Sequence, residues 1–450
     1  MNIVIIGGVA AGAKAAAKIK RLLPDASVKI FTDDTHVSYS SCGLPYYIQG
    51  NFKDYTMLLV RSVEEFKKSG IDVYLQHKVT KIDLKSKNIT VNNNFNDFYV
   101  PYDRLIIATG ARPFIPEVKG VHDYTNIYIL RKIEDGIKIR NKMLESKKVV
   151  IAGSGFIGLE LLEAFVQNGL EVTLIERKNR LMPAFDEDMS KIIRDRLESI
   201  ENRSFKLITD ESIVEFAGEG ENASKVITST GREIETDFVV LCAGVVPNTE
   251  IARDAGLIIG KSGAIKVNKL MQTSAVNVFA CGDCCEEPHL INGQSVWVPL
   301  GSTANKEGRC AAMNAAGIYT VFEGVLGSAV TRCLNTTMSM TGFTEREAQN
   351  FGYTPISVTV NKNDMVAYMP EVGDFTLKVV ADKVTGLLLG GQAVGSIGAD
   401  KRINALAGAL TGRLTVREFA NNDFTYSPPF SPTIDPLLDA MNLLCAKLDC

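Results

Sequence analysis

Short apolar runs, each closed by small residues and followed by a segment of helical period, recur along the first two thirds of the chain. Asn2–Ile6, Val28–Phe31, Leu105–Ile107, Lys147–Ala152, Glu171–Ile175, Val239–Ala243 and Val276–Ala280 are β-branched and nearly continuous in hydrophobicity. That is the pattern of strands covered on both faces, as in a parallel sheet with helices either side. The first run enters Gly7-Gly8-Val9-Ala10-Ala11-Gly12 and then an alanine-rich helix predicted to reach about Leu23. From roughly Ile318 the period changes. Ile356–Val360, Thr376–Val380 and Leu387–Leu389 read as strands of an antiparallel sheet, followed by helices over 401–411 and 416–420. A proline-dense loop, Tyr426-Ser427-Pro428-Pro429-Phe430-Ser431-Pro432, then leads into a last helix from Asp435.

Two of the strand–turn–helix units carry a recognisable turn. Gly153-Ser154-Gly155-Phe156-Ile157-Gly158 is a complete G-x-G-x-x-G, and Glu176 ends the next strand 18 residues beyond Gly158. Glycines there let backbone approach a pyrophosphate at a helix amino end, and the acid takes the ribose hydroxyls. Such an acid repels a 2′-phosphate, so NADH is expected over NADPH, although Arg177 and Lys178 follow at once. The first turn has Gly7, Gly8, Ala11 and Gly12 in the equivalent places, with Val9 where the middle glycine belongs, and Asp33 is the ribose candidate. The fold class is therefore α/β: two Rossmann-like dinucleotide-binding domains plus an α+β C-terminal part. Two such sites in one chain suggest one cofactor that stays and one that visits. Gly282-Asp283 closes a later strand, where the acid can take ribityl hydroxyls.

The chemistry centres on Ser38-Tyr39-Ser40-Ser41-Cys42-Gly43-Leu44-Pro45-Tyr46-Tyr47. Pro45 suits a first helical turn, so Cys42 is expected at a helix amino end, where thiolate is favoured over thiol. The alternative is a small buried hydrophobe. Lys14, Lys18 and Arg21 share one face of the first helix at i, i+4, i+7. Such a stripe is either a solvated face or a seat for a phosphorylated substrate. Cys281, Cys284 and Cys285 cluster in one turn, but with four histidines in the chain no matching ligand set for a metal appears.

At 450 residues the chain should divide into two or three domains. A hydrophobic share of 46% and a net charge of −3 give no reason to expect nucleic acid or a membrane as the main partner. Met1-Asn2-Ile3-Val4 has no basic leader pattern, and nine cysteines, an odd number, suit a reducing cytoplasm.

Taken together, Gly7–Gly12, Ala108-Thr109-Gly110, Gly153–Gly158 with Glu160, and Ala280-Cys281-Gly282-Asp283 resemble the pyridine nucleotide–disulfide oxidoreductases over essentially the whole chain. The single cysteine in Ser41-Cys42-Gly43-Leu44-Pro45 is similar to the coenzyme A-disulfide reductases, their persulfide-reducing relatives and related NADH oxidases. Two-cysteine members place a second cysteine five residues on, where this chain has Tyr47. The resemblance implies a homodimer with FAD on residues 1–112 and 241–318, NAD(P)H on 113–240, and an interface domain over 319–450. It implies flavin contacts at Ser41 and Thr303, a flavin-shielding Phe156, Glu160 near the flavin, and substrate contacts at Lys14, Lys18, Arg21, Ser38, Arg61 and Asn305. It also implies that Tyr426 serves Cys42 of the partner subunit. NADH peroxidases and water-forming NADH oxidases of similar sequence place a histidine in the first helix turn, where this chain has Ala10-Ala11, which counts against both. Persulfide reductases with a fused rhodanese would extend past this chain's end. Some coenzyme A-disulfide reductases carry a substrate-binding lysine after the paired prolines, and Ser431-Pro432-Thr433 stands there instead.

The function implied is reduction of a coenzyme A disulfide, persulfide or polysulfide through Cys42. The alternatives are an NADH oxidase reducing oxygen at the flavin, and a redox-sensing or electron-transfer flavoprotein. Cys445 and Cys450 are either a second dithiol relay or incidental.

Overall fold

A computed structural model describes residues 1–396 and 398–449. The chain folds as two compact units. The first comprises Met1–Ile115, Ile129–Lys142 and Ala243–Val325; the second comprises Pro116–Tyr128, Met143–Cys242 and Leu326–Cys450.

In the first unit a five-stranded sheet runs in the order Val278–Ala280, Arg104–Ile107, Asn2–Ile6, Ser27–Phe31, Ile71–Tyr74. Every pairing is parallel, with Ile3 opposite Val28 and Arg104. The apolar runs are buried on both faces, as their continuity requires. The first helix is Ala10–Leu22, one residue shorter than expected, with Leu23 capping it before Pro24. It packs on the helix Gly301–Ala315. The contact is made by small residues: a Cβ on Gly308 would come within 2.3 Å of the Ala11 carbonyl oxygen. Apolar burial without bulk brings the two backbones close. An antiparallel meander of Lys78–Asp83, Asn88–Asn92 and Asp97–Pro101 is inserted into this unit.

In the second unit the sheet order is Phe205–Thr209, Glu171–Glu176, Lys148–Ala152, Phe238–Leu241, Ile127–Ile129. A separate five-stranded sheet orders Ala329–Cys333, Thr336–Gly342, Leu388–Gly395, Asp374–Asp382 and Pro355–Asn363, all antiparallel. Its strands outrun the lengths expected, most of all Leu388–Gly395. Gly390, Gly391 and Gly395 lie in the part beyond the expected Leu387–Leu389, and a Cβ on Gly390 would sit 2.1 Å from the Phe343 carbonyl oxygen. Glycine is there for close approach rather than for a turn. Helices Ala399–Thr411, Val416–Ala420 and Pro436–Leu448 complete the unit.

Candidate active site

The first glycine turn is a closed cradle. Gly7 has φ +101°, and a Cβ there would lie 2.1 Å from the Ala108 carbonyl oxygen; on Gly12 it would lie 2.0 Å from that of Gly7. Gly282, at φ +80°, leaves 2.9 Å to Ala11 Cβ. No side chain can stand where backbone must face a pyrophosphate, which is the fit FAD requires. Thr109 is locked by reciprocal bonds with Asn248, its hydroxyl donating to the Asn248 carbonyl at 2.6 Å and the Asn248 amide to its own at 2.9 Å. This fixes the Ala108-Thr109-Gly110 turn.

The two candidate acids after the second strand separate cleanly. Asp34 is buried and accepts the Tyr39 hydroxyl at 2.8 Å, whereas Asp33 is exposed and lies 3.6 Å from Lys132. Asp33 is thus the carboxylate left at the surface. Asp283 pairs with Arg131 at 3.4 Å, and the Arg131 guanidinium also fills the space beside Gly110. Neither Arg131 nor Lys132 was legible as a site residue: both come from Ile129–Lys142, a segment that rejoins the first unit from a distant part of the chain. Their only sequence signal is a basic pair before an acidic helix start, with Asp135 capping both backbone amides.

Cys42 is exposed and sits in a single 3-10 turn, Ser41–Gly43, running into the helix Leu44–Gln49 with Pro45 in its first turn. That helix is only six residues long and contributes little dipole. The stronger support comes from elsewhere: a Cβ on Gly301 would lie 3.8 Å from Cys42 Sγ. The sulfur therefore faces the first residue of the 15-residue helix Gly301–Ala315, whose unpaired amides favour thiolate. On that helix Thr303 is buried and Asn305 exposed.

Ser38 has φ +53° and donates its backbone N–H to the Gly8 carbonyl at 2.8 Å, which ties the Cys42 loop to the cradle. Lys14 and Lys18 are half-buried and Arg21 exposed, on the helix face opposite buried Ala15, Ala16 and Ile19. Arg61 is already engaged: it stacks on Phe66 at 4.6 Å to the ring centre and donates to Ser69 and to the Glu65 carbonyl.

In the second unit Gly153 has φ +112°, and a Cβ on Gly158 would lie 2.0 Å from the Gly153 carbonyl oxygen. Gly155 is open, with nothing within 4 Å of an added Cβ. Phe156 opens the helix Phe156–Gln167. Glu176 is buried and accepts the Ser154 N–H at 2.9 Å, the Ser154 hydroxyl at 2.8 Å and the Lys178 N–H at 2.9 Å. Burial pushes Glu160 up to about 7, against a bond donated by the Thr331 hydroxyl at 2.9 Å. Burial, with Glu160 adding, pushes the Cys242 thiol up to about 12.

Tyr426 is exposed, on a loop held through Asp435. That carboxylate caps Leu437, accepts the Ser431 hydroxyl at 3.1 Å and pairs with buried Arg402 at 3.0 Å.

Cys281, Cys284 and Cys285 are buried, and burial raises all three thiols, Cys284 to about 11. Among the described residues, Asp34, His36 and Glu134 have ligand atoms close enough for a metal, but hydrogen bonds from Tyr39 and Thr35 already serve their carboxylates. Cys445 is half-buried on the last helix, and Cys450 lies outside the described residues. Among the described residues, no helix is long and apolar enough to cross a membrane.

Comparison with known proteins gives the family. An NAD(P)H sulfur oxidoreductase (CoA-dependent) from Pyrococcus abyssi is 38% identical over 440 residues, covering 97% of this chain and 96% of that protein. An NADH oxidase from Methanocaldococcus jannaschii is 34% identical over 443 residues, covering 97% of each. The solved NAD-dependent persulfide reductase from A. fulgidus superposes with a TM-score of 0.96 at 34% identity, covering 100% of this chain and 84% of that one. The family model for pyridine nucleotide-disulphide oxidoreductases matches residues 1–308, and the model for their dimerisation domain matches 330–437. The chain is a member of the pyridine nucleotide-disulphide oxidoreductase family, an enzyme family whose chemistry implies FAD and NAD(P)H.

Proposed function

We propose that the protein reduces a coenzyme A-linked disulfide, persulfide or polysulfide at the expense of NAD(P)H, with Cys42 as the reacting sulfur. The observation that carries this is the placement of Cys42 Sγ against the amino end of Gly301–Ala315, beside the Gly7–Gly12 cradle. FAD, when bound, supplies the two electrons taken from the nicotinamide. Gly7, Gly8, Ala11 and Gly12 give it room, Asp33 and Asp283 take hydroxyls, and Ser41, Ala108–Gly110, Gly282 and Thr303 line it. Gly153, Gly155, Phe156, Gly158 and Glu176 serve the nicotinamide dinucleotide, with NADH preferred, and Glu160 works close to its reacting end. The Cys42 thiolate attacks one sulfur of the substrate and expels the other as thiolate, leaving a mixed disulfide whose two-electron reduction restores Cys42. Lys14, Lys18 and Arg21 seat the phosphates of coenzyme A, with Arg61 the weaker candidate for the same role, and Ser38 and Asn305 also contact the substrate. Tyr426 protonates the departing thiolate at the Cys42 of the partner subunit, in a cytoplasmic homodimer.

Oxygen reduction at the flavin is the second reading, favoured by the M. jannaschii relative. Anaerobic stopped-flow separates the two. Coenzyme A disulfide should reoxidise NADH-reduced wild type and not Cys42→Ser, with disulfide turnover falling by about three orders of magnitude or more. Equal, rapid reoxidation of both proteins by oxygen, with no response to the disulfide, sinks the sulfur reading.

A further inference from the structure

Behind the cradle lie two carboxyl groups that the proposed reaction does not use. Glu307 and Glu287 are 1% and 2% exposed. Glu307 Oε2 accepts the Gly282 N–H at 2.6 Å and the Cys285 thiol at 3.7 Å, while Glu307 Oε1 is buried with no hydrogen-bond partner. Glu287 Oε1 accepts the Val298 N–H at 2.8 Å. A carboxylate oxygen buried without a donor is costly, and the simplest relief is a proton.

Among the described residues, no cation acts on either carboxyl. Facing the pair are Asp283, Glu286 and the thiols of Cys281, Cys284, Cys285 and Cys310. Arg131 is turned to Asp283, and Glu286 accepts from Ser262. On the first helix Ala11, Gly12, Ala15 and Ile19 are buried, and Lys306 and Arg309 on the helix of Glu307 are exposed. Burial pushes both carboxyls up, each other's presence raising Glu287 further, while the Gly282 N–H and the Cys285 thiol hold Glu307 back. Two acids in one dry site hold one proton between them through neutral pH and can take a second.

Their position connects them to the flavin site. Glu307 is one helical turn beyond Thr303 on the helix that faces Cys42, and its oxygen holds the Gly282 amide that shapes the cradle. We propose that the Glu287–Glu307 pair is a proton store coupled to the flavin, taking up a proton from solvent when the flavin accepts two electrons. This deepens the reading of the first site as an FAD site and rests on it. The balance is simple. The electrons come from NAD(P)H, the carboxylate of the pair becomes a carboxylic acid, and the charge added in front is neutralised behind. Negative charge added nearby raises a carboxyl's proton affinity, and more so in a water-poor interior.

The test is the pH dependence of the flavin midpoint potential in the FAD-loaded protein, measured against equilibrating dyes, which counts protons per two electrons. Wild type should show up to one proton more than Glu307→Gln and Glu287→Gln over about pH 6–8, where such a pair titrates. Both variants should keep their flavin spectrum. A merely structural role would change flavin retention or thermal stability without changing the count. If wild type and flavin-replete variants give the same count, the inference falls. A wild-type count with no step over that range overturns it even if neither variant folds. Wild-type protein that binds no flavin overturns the FAD reading itself, and the proton store with it.

Discussion

The two glycine turns share a backbone and differ in what surrounds them. Both begin at a glycine in the left-handed region and close with one whose Cβ would strike the first glycine's carbonyl at 2.0 Å. The Gly7 turn is then walled in, by Gly282 against Ala11 and by Gly308 against the Ala11 carbonyl. The Gly153 turn is open at Gly155, and its acid is folded inward onto Ser154. The same motif thus builds a socket in one place and a landing in the other. Enclosure is what a cofactor that stays requires, and openness is what one that must leave every cycle requires.

Filling the socket should have the largest effect. Gly308→Val forces side-chain atoms into the Ala11 carbonyl, and overpacking of this kind costs about 1–3 kcal/mol or more. The expected result is protein purified with under about a tenth of its flavin, read from its absorbance. Normal flavin content would show that the wall is not what retains FAD. Gly155→Ala makes the opposite case. With nothing near the added methyl, stability should change by no more than about 0.5 kcal/mol. The flavin should stay, while the NADH KM rises by about tenfold as the backbone's approach to the pyrophosphate is obstructed.

Glu176→Ala should narrow the preference for NADH over NADPH by about 10- to 100-fold, the worth of a hydrogen bond to a charged group plus removal of the repulsion. An unchanged ratio of the two kcat/KM values would show that Glu176 is spent on Ser154 rather than on the ribose.

Glu160 should act on stability alone, and only as a dependence on pH. Its folded value near 7 lies above its ordinary 4.5, so the folded state holds a proton that the unfolded state releases. Stability is therefore fullest below pH 4.5 and declines as pH rises towards 7, by at most about 3 kcal/mol and less for a group with some solvent access. Glu160→Gln should flatten the urea midpoint between pH 5 and pH 8.

Most of this organisation could be read from the chain. Apolar runs followed by glycine turns are local signals, and Gly7–Gly12, Gly153–Gly158 and Cys42 each announced themselves within a few residues. What escaped depends on contacts between distant segments. Arg131 meets Asp283 across 152 residues of sequence, and Glu307 meets Gly282 through a helix whose other inward residues are alanine, glycine, cysteine and threonine. The electrostatic support for Cys42 was expected from the helix that follows it, and comes instead from one that begins 259 residues later, at Gly301. The inserted meander at 78–101 left no signal beyond ordinary alternation, and the strand expected over Leu387–Leu389 runs on through Gly390 because of a close neighbour, Phe343, that is remote in sequence.

The helix Gly301–Ala315 makes three contacts within its first eight residues: with the Cys42 sulfur at Gly301, the Gly282 amide at Glu307 and the Ala11 backbone at Gly308. Because each residue advances a helix by about 100°, inserting or deleting one position here would turn everything after it away from its target at once. Single substitutions can be absorbed one contact at a time, but a change of length cannot. This stretch should therefore drift in composition while its residue count stays fixed, with any gain or loss of residues confined to surface connections such as the turn at 93–96.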